Sequence, residues 1–136
     1  MNNINNNRLL PHCPLTPDTV ISTIINRQSE LSSLLDTINT RLDEAPAGTL
    51  RIANRGNRPQ YYHRLDSNDR KGSYIKKKKE LTLIKNLAQK EYDLRVKKEV
   101  ECELQALTDF LKNYSPEQIE QAYDSLNTAR QELIIP

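Results

Sequence analysis

Ile21, Ile24, Gln28, Leu31, Leu35, Ile38 and Leu42 recur at alternating steps of three and four. That spacing lays one narrow stripe along a helix, the seam of a coiled coil, with a single polar residue, Gln28, set into it. A stripe of this kind is stable only against a partner of similar length. Thr16 supplies an N-cap oxygen and Pro17 a first helical residue whose missing N–H costs nothing. "APAG", Ala45 to Gly48, ends the run. The predicted helix is 17–44, and roughly 27 residues at helical rise span about 40 Å.

The rest of the chain is read around that helix. Apolar residues make up only 36%, with one Phe, no Trp and three Gly, which favours long helices with one buried stripe over a large layered core. After Gly48 the period changes to two. "TLRIA" (Thr49 to Ala53), "QYYHRL" (Gln60 to Leu65) and "SYIKK" from Ser73 alternate as strands, joined by "RGNRP" and "DSNDRKG", which gives a meander over 49–78. Three short strands need a helix against one face. A long helix over 79–113 follows, its apolar surface read as Ile84, Leu87, Ala88, Glu91, Leu94, Val96, Val100, Leu104, Leu107 and Leu111.

Short helices are expected over 116–134. Ser115 is read as N-cap, Pro116 as first residue and Gln118 as the third of a capping box, with Ile119, Ala122, Tyr123 and Leu126 on the buried side. Residues 1–15, Asn-rich and broken by Pro11 and Pro14, read as a flexible tail. The expectation is a single α+β domain over 16–136: a long helix, a three-stranded antiparallel meander, a second long helix antiparallel to the first, and short C-terminal helices. The sheet acts as a wide connector, so the two long helices pair within one chain, and a monomer is favoured over a homodimer formed through the seam. Leu133, Ile134, Ile135 and Pro136 read as a cut made before a further C-terminal domain.

The 136 residues carry a net charge of +2, but residues 51 to 79 hold ten basic residues against Asp66 and Asp69, a local net of +8. The alternation sorts this segment into two faces. Leu50, Ile52, Tyr61, His63, Leu65 and Ile75 are expected on the helix-facing side. Arg51, Tyr62, Arg64, Tyr74 and Lys76 are expected outside. Arg55 and Arg58 are placed in the first turn, Arg70 and Lys71 in the second. "KKKK", Lys76 to Lys79, marks the junction with the second long helix, where Lys78, Lys79 and the backbone amides can meet a phosphate. Cations interleaved with tyrosines suit nucleic acid, with Arg and Lys on phosphates and Tyr stacking or hydrogen bonding. The plain alternative is a solvated sheet face on a helical scaffold or dimerisation module.

The sequence carries no recognisable active site, cofactor motif or metal motif. His12 and Cys13 lie in the tail, His63 is in a strand and reads as packed or hydrogen-bonded, and Cys102 stands alone. "RGNRP" has one glycine and precedes no helix, so it is no phosphate loop. Two cysteines make no disulfide framework, which fits a reduced, cytoplasmic protein. No run reaches the about 20 apolar residues of a membrane span, so no membrane partner is expected.

"GTLRIANRGNRPQYYHRLDSNDRKGSYIKKKKELTLIKNLAQKEYD", Gly48 to Asp93, and "LKNYSPEQIEQAYDSL" further on resemble a group of uncharacterised bacterial proteins from Firmicutes. In those proteins such a segment is the N-terminal half, and the C-terminal half looks like a restriction-endonuclease-like nuclease. The resemblance makes Tyr61, Tyr62, Arg64, Tyr74, Ile75, Lys76, Leu87, Ala88, Gln89 and Tyr92 the family-pattern positions, none of them catalytic. It implies nuclease residues beyond Pro136 and, for this chain, a DNA-binding accessory role. A looser architectural likeness links the basic, aromatic three-stranded sheet followed by a helix to the DNA arm-binding domain of phage-type integrases.

Overall fold

The structure, a computed structural model, describes residues 16–136; the expectations for the Asn-rich tail, His12 and Cys13 lie outside the described residues. The element order is α1 (Pro17–Glu44), β1 (Thr49–Arg55), β2 (Arg58–Arg64), β3 (Ser73–Ile75), α2 (Leu81–Asn113), α3 (Glu117–Asp124) and α4 (Thr128–Gln131). This is the expected α+β arrangement, with α1 and α2 antiparallel. Two compact units divide it, 31–103 in one and, of the described residues, 16–30 with 104–136 in the other.

α1 starts where its sequence says. The Thr16 hydroxyl accepts from the Thr19 N–H at 3.2 Å, and the Thr16 carbonyl accepts from Val20. Every seam residue from Ile21 to Leu42 is buried or half-buried, with Leu31 and Ile38 deepest. The helix ends before Gly48, whose φ of +90° is open to glycine alone at low cost. A methyl group there would collide with the Arg64 carbonyl oxygen and crowd the His63 ring. Gly48 therefore fixes the approach of the first connection to β2.

In the unit 31–103 the sheet has order β1-β2-β3, antiparallel throughout. The register sets Arg51 opposite Tyr62 and Tyr62 opposite Tyr74, with Ile52, Tyr61 and Ile75 in the next row. Gly56, at φ +64°, and Asn57 form the two-residue loop of the first hairpin, with positive φ at its first position as in a type II′ turn. Pro59 sits where β2 has no β3 neighbour, the edge setting that a proline tolerates.

Ile75, Ile84 and Leu87 form the core between sheet and helix, with Leu50, Tyr61 and Leu83 packed against it. Burying a side chain such as Leu87 stabilises the fold by about 1.5–3 kcal/mol. Two expected members are missing. Ile52 is 53% exposed, because the start of α2 covers the Leu50 and Ile75 end of the face and leaves the hairpin tip open. Leu65 is 61% exposed, because β2 stops at Arg64 and the chain has turned away.

The stripe of α2 also differs from its reading. Ile84, Leu87 and Val100 are buried, and Val96, Leu104, Leu107 and Leu111 are half-buried, but Ala88, Glu91 and Leu94 face solvent. The buried position between Leu87 and Val100 is Asp93, 1% exposed. Arg41 of α1 meets it with two hydrogen bonds, Nε to Oδ2 at 3.0 Å and Nη2 to Oδ1 at 2.9 Å, and the Gln89 amide donates a third at 2.9 Å. The hydrogen bond from Arg41, followed by that from Gln89, holds the Asp93 carboxyl below the usual carboxylate range even though burial pushes it up. The same bond holds the Arg41 guanidinium above its own usual range. Lys90, three residues before Asp93, donates to the carbonyls of Pro46 and Gly48 at 3.0 and 2.9 Å. Asp93 and Lys90, two charges that α2 turns inward, thus each have partners from the α1 side.

In the other unit, the Gln28 amide of α1 reaches the Thr108 hydroxyl of α2 at 3.4 Å, so the seam's polar residue has a partner. Phe110 and Tyr114 stack with ring centroids 4.9 Å apart. The start of α3 departs from the capping box. Pro116 occupies the cap position, no side chain caps the helix, and the Ser115 carbonyl rather than its hydroxyl accepts from Gln118. Ile119 and Ala122 are exposed, while Tyr123 and Leu126 are half-buried. α4 is a separate turn, capped by the Asn127 side chain accepting from the Arg130 N–H at 2.9 Å.

Candidate nucleic-acid interface

β-strand alternation and the register define the face opposite the core. It carries Arg51 and Arg55 from β1, Arg58, Tyr62 and Arg64 from β2, and Tyr74 from β3. Arg55 and Arg58 are not turn residues, as the sequence reading had them. They form the last rung of the β1–β2 ladder, directly opposite one another beside Gly56. Like charges so placed destabilise a hairpin by a few tenths of a kcal/mol or more. The face therefore runs from a double-arginine rung at the turn, through Arg51, Tyr62 and Tyr74, to Arg64 at its far end.

The middle row is preorganised. The Arg51 guanidinium lies over the Tyr62 ring, 4.0 Å from its centroid, and Arg51 Nε donates to the Lys71 carbonyl at 2.8 Å. Tyr74 meets Tyr62 edge to face at 5.7 Å. The Tyr62 hydroxyl donates to the Gln60 side chain at 3.1 Å. Tyr62 is half-buried by these neighbours and not by a helix, whereas Tyr74 is 56% exposed.

Lys76 is a correction. β3 ends at Ile75, and Lys76 opens a turn outside the face, its carbonyl accepting from the Lys79 and Glu80 N–H groups at 3.1 and 3.0 Å. Those two amides are consumed by the turn and do not point at a ligand. α2 begins at Leu81, so Lys78 and Lys79 are exposed turn residues and not part of the helix. Arg70 and Lys71 lie exposed in the β2–β3 connection, where expected.

Among the described residues, none of the ten cations of this segment forms an ion pair; the ion pairs seen involve Arg27, Arg41 and Arg95. The two acids of the segment serve its backbone. Asp66 Oδ1 accepts from the Asn68 and Asp69 N–H groups, and Asp69 Oδ1 accepts from the Gly72 N–H. The field of the face is therefore unneutralised by contact.

His63 lies on the other face, its Nε2 donating to the Ala47 carbonyl at 2.7 Å, which fixes the tautomer and ties the α1–β1 connection to β2. No group of three or more His, Cys, Asp or Glu capable of holding a metal occurs among the described residues. No described helix is long and apolar enough to cross a membrane. What the sequence reading missed was the Arg55–Arg58 rung. Its signal was present, since a two-residue Gly-Asn loop flanked by arginines places both on one face.

No protein-family model, curated protein or solved structure matches this chain.

Proposed function

We propose that the outer face of the sheet binds nucleic acid, DNA in the first instance, chiefly through its phosphate backbone. The observation that carries this reading is the Arg55–Arg58 rung, a like-charge pair set at a cost to the hairpin, in line with Arg51 and Arg64, with none of the four in an ion pair among the described residues. Arg70, Lys71, Lys78 and Lys79 flank the face on its two connections. Lys76 stands outside it.

The middle row argues for backbone contact over base stacking. Single-strand platforms need successive free rings, but Arg51 already covers Tyr62, which leaves Tyr74 as the ring most open to a base. A scaffold or dimer formed through the seam is the other reading of the chain. The Gln28–Thr108 and Arg41–Asp93 ties spend that seam within one chain, which favours the monomer. An accessory grip beside a nuclease module, as the Firmicutes resemblance implies, fits a surface that holds a backbone and performs no reaction of its own.

Duplex and single-stranded DNA binding, measured by fluorescence anisotropy across a salt series, tests the reading. Replacing Arg55 and Arg58 with alanine should weaken duplex binding at least tenfold at low salt and lower the log–log salt slope by about 1.8, two phosphates' worth. Unchanged affinity and slope would remove the face from consideration.

A further inference from the structure

At the end of the sheet away from Gly56, a cleft of about 610 Å³ opens between the start of β1, the β2–β3 connection and α2. That volume lies within the about 300–1,000 Å³ of small-molecule sites. Leu65 and Leu94, two residues expected in the core and found exposed, are its apolar walls. Arg64, Arg70 and Lys90 are its cations. Lys90 gives two of its three N–H groups to the Pro46 and Gly48 carbonyls and keeps one. Arg64 Nε is shielded from water and has no hydrogen-bond partner, an unmet donor that an acceptor brought into the cleft would satisfy on a small swing of the guanidinium. Asp66 and Asp69 also line the cleft. Each has one carboxylate oxygen on loop amides and the other available to accept from an N–H or O–H.

Anion donors, a flat apolar wall and acceptors in one cleft match the three parts of a nucleotide. We propose that this cleft binds one nucleoside monophosphate unit, a proposal that deepens and rests on the nucleic-acid reading. The phosphate sits on Arg64 and Arg70, the base lies against Leu65 and Leu94, and the Asp66 and Asp69 oxygens accept from base amino or sugar hydroxyl groups. Arg64 is also the last cation of the sheet face, so a strand that follows the face reaches the cleft at its end. The unit is supplied either by a 5′-phosphorylated strand terminus or by a free nucleotide.

Inorganic phosphate, adenosine and AMP are titrated into the full-length protein, followed by calorimetry and by ¹⁵N NMR including the arginine Nε signals. AMP should bind at least tenfold more tightly than phosphate or adenosine and shift Arg64, Leu65 and Leu94. Leu65→Ser with Leu94→Ser, both at exposed positions, should reduce AMP affinity to that of phosphate and leave phosphate binding and the melting temperature unchanged. AMP binding no tighter than phosphate, or a double variant that binds AMP normally, overturns the proposal. A duplex with 5′-phosphate that loses affinity in the double variant, while the unphosphorylated duplex does not, assigns the cleft to strand ends. Loss of AMP binding with both duplexes unaffected assigns it to free nucleotide. If AMP binds but Arg55→Ala with Arg58→Ala leaves duplex binding untouched, the sheet-face reading falls and the cleft stands. If duplex binding needs those arginines but AMP does not bind, the cleft alone falls.

Discussion

Charge is handled in opposite ways in the helical seam and on the sheet. Where α1 meets α2, three inward polar groups have partners from distant parts of the chain: Gln28 has Thr108, Asp93 has Arg41, and Lys90 has two carbonyls of the α1–β1 connection. On the sheet, four arginines share one face and none meets a carboxylate. Paired charge in the seam contributes to stability and fixes geometry. On the sheet Arg51 is tied to Tyr62 and the Lys71 carbonyl, but no arginine there has a counter-ion among the described residues, and at the Arg55–Arg58 rung charge is set against itself.

That contrast breaks if substitutions in the two regions cost the same. The largest loss of stability should follow Arg41→Ala, which leaves the Asp93 carboxylate buried with only Gln89 to support it. Asp93→Ala leaves a half-exposed guanidinium that water can solvate. It should cost about 2 kcal/mol, below the roughly 3–5 kcal/mol of pairs buried on both sides. Thermal melts of the two variants give the order, and a smaller drop for Arg41→Ala would reverse the account.

The pair also predicts a pH signature. The Asp93 carboxyl titrates lower in the folded state than in the unfolded chain, so its contribution is fully present above the ordinary carboxylate value of about 4. It is lost as pH falls from there through the lower folded value, where both states are protonated. Wild type and Asp93→Asn should therefore differ most in denaturant midpoint near neutrality and converge below about pH 4.

Lys90→Met should come next, at about 1–2 kcal/mol for two charge-assisted bonds to carbonyls. Chemical denaturation reads it directly. Smallest of all, alanine at both Arg55 and Arg58 should leave stability within about 0.5 kcal/mol of wild type, or raise it slightly by relieving the rung. A loss above 1 kcal/mol would show these arginines to be structural and would merge the two regions into one class.

The contrast also explains what could be read from sequence. The α1 seam was legible because a single unbroken period decides it, and every residue named there is covered. The two faces of the sheet were legible because alternation and a two-residue loop leave one register. α2 was not, because its stripe changes phase. Steps forward from Leu87 land on Glu91 and Leu94, while steps back from Val100 land on Asp93. Choosing between them requires knowing that Arg41, 52 residues away, waits opposite. Strand ends failed for a related reason. Lys76 looks like a strand residue locally, but its carbonyl is claimed by the turn that starts α2. Leu65 and Ile52 looked like core because they are apolar, yet a three-stranded sheet offers too little cover at its margins.

The Arg41–Asp93 pair has a consequence for how the helices find their alignment. A stripe made only of leucine and isoleucine fits its partner nearly as well after sliding by a heptad, and each setting would be a separate trap. With a carboxylate in the stripe, a slipped alignment would press Asp93 against apolar side chains and leave Arg41 without its acceptor. Within the unit 31–103 the pair acts as a key cut for one lock position. Any redesign that replaces both residues with leucine should gain apolar contact and give up that single setting.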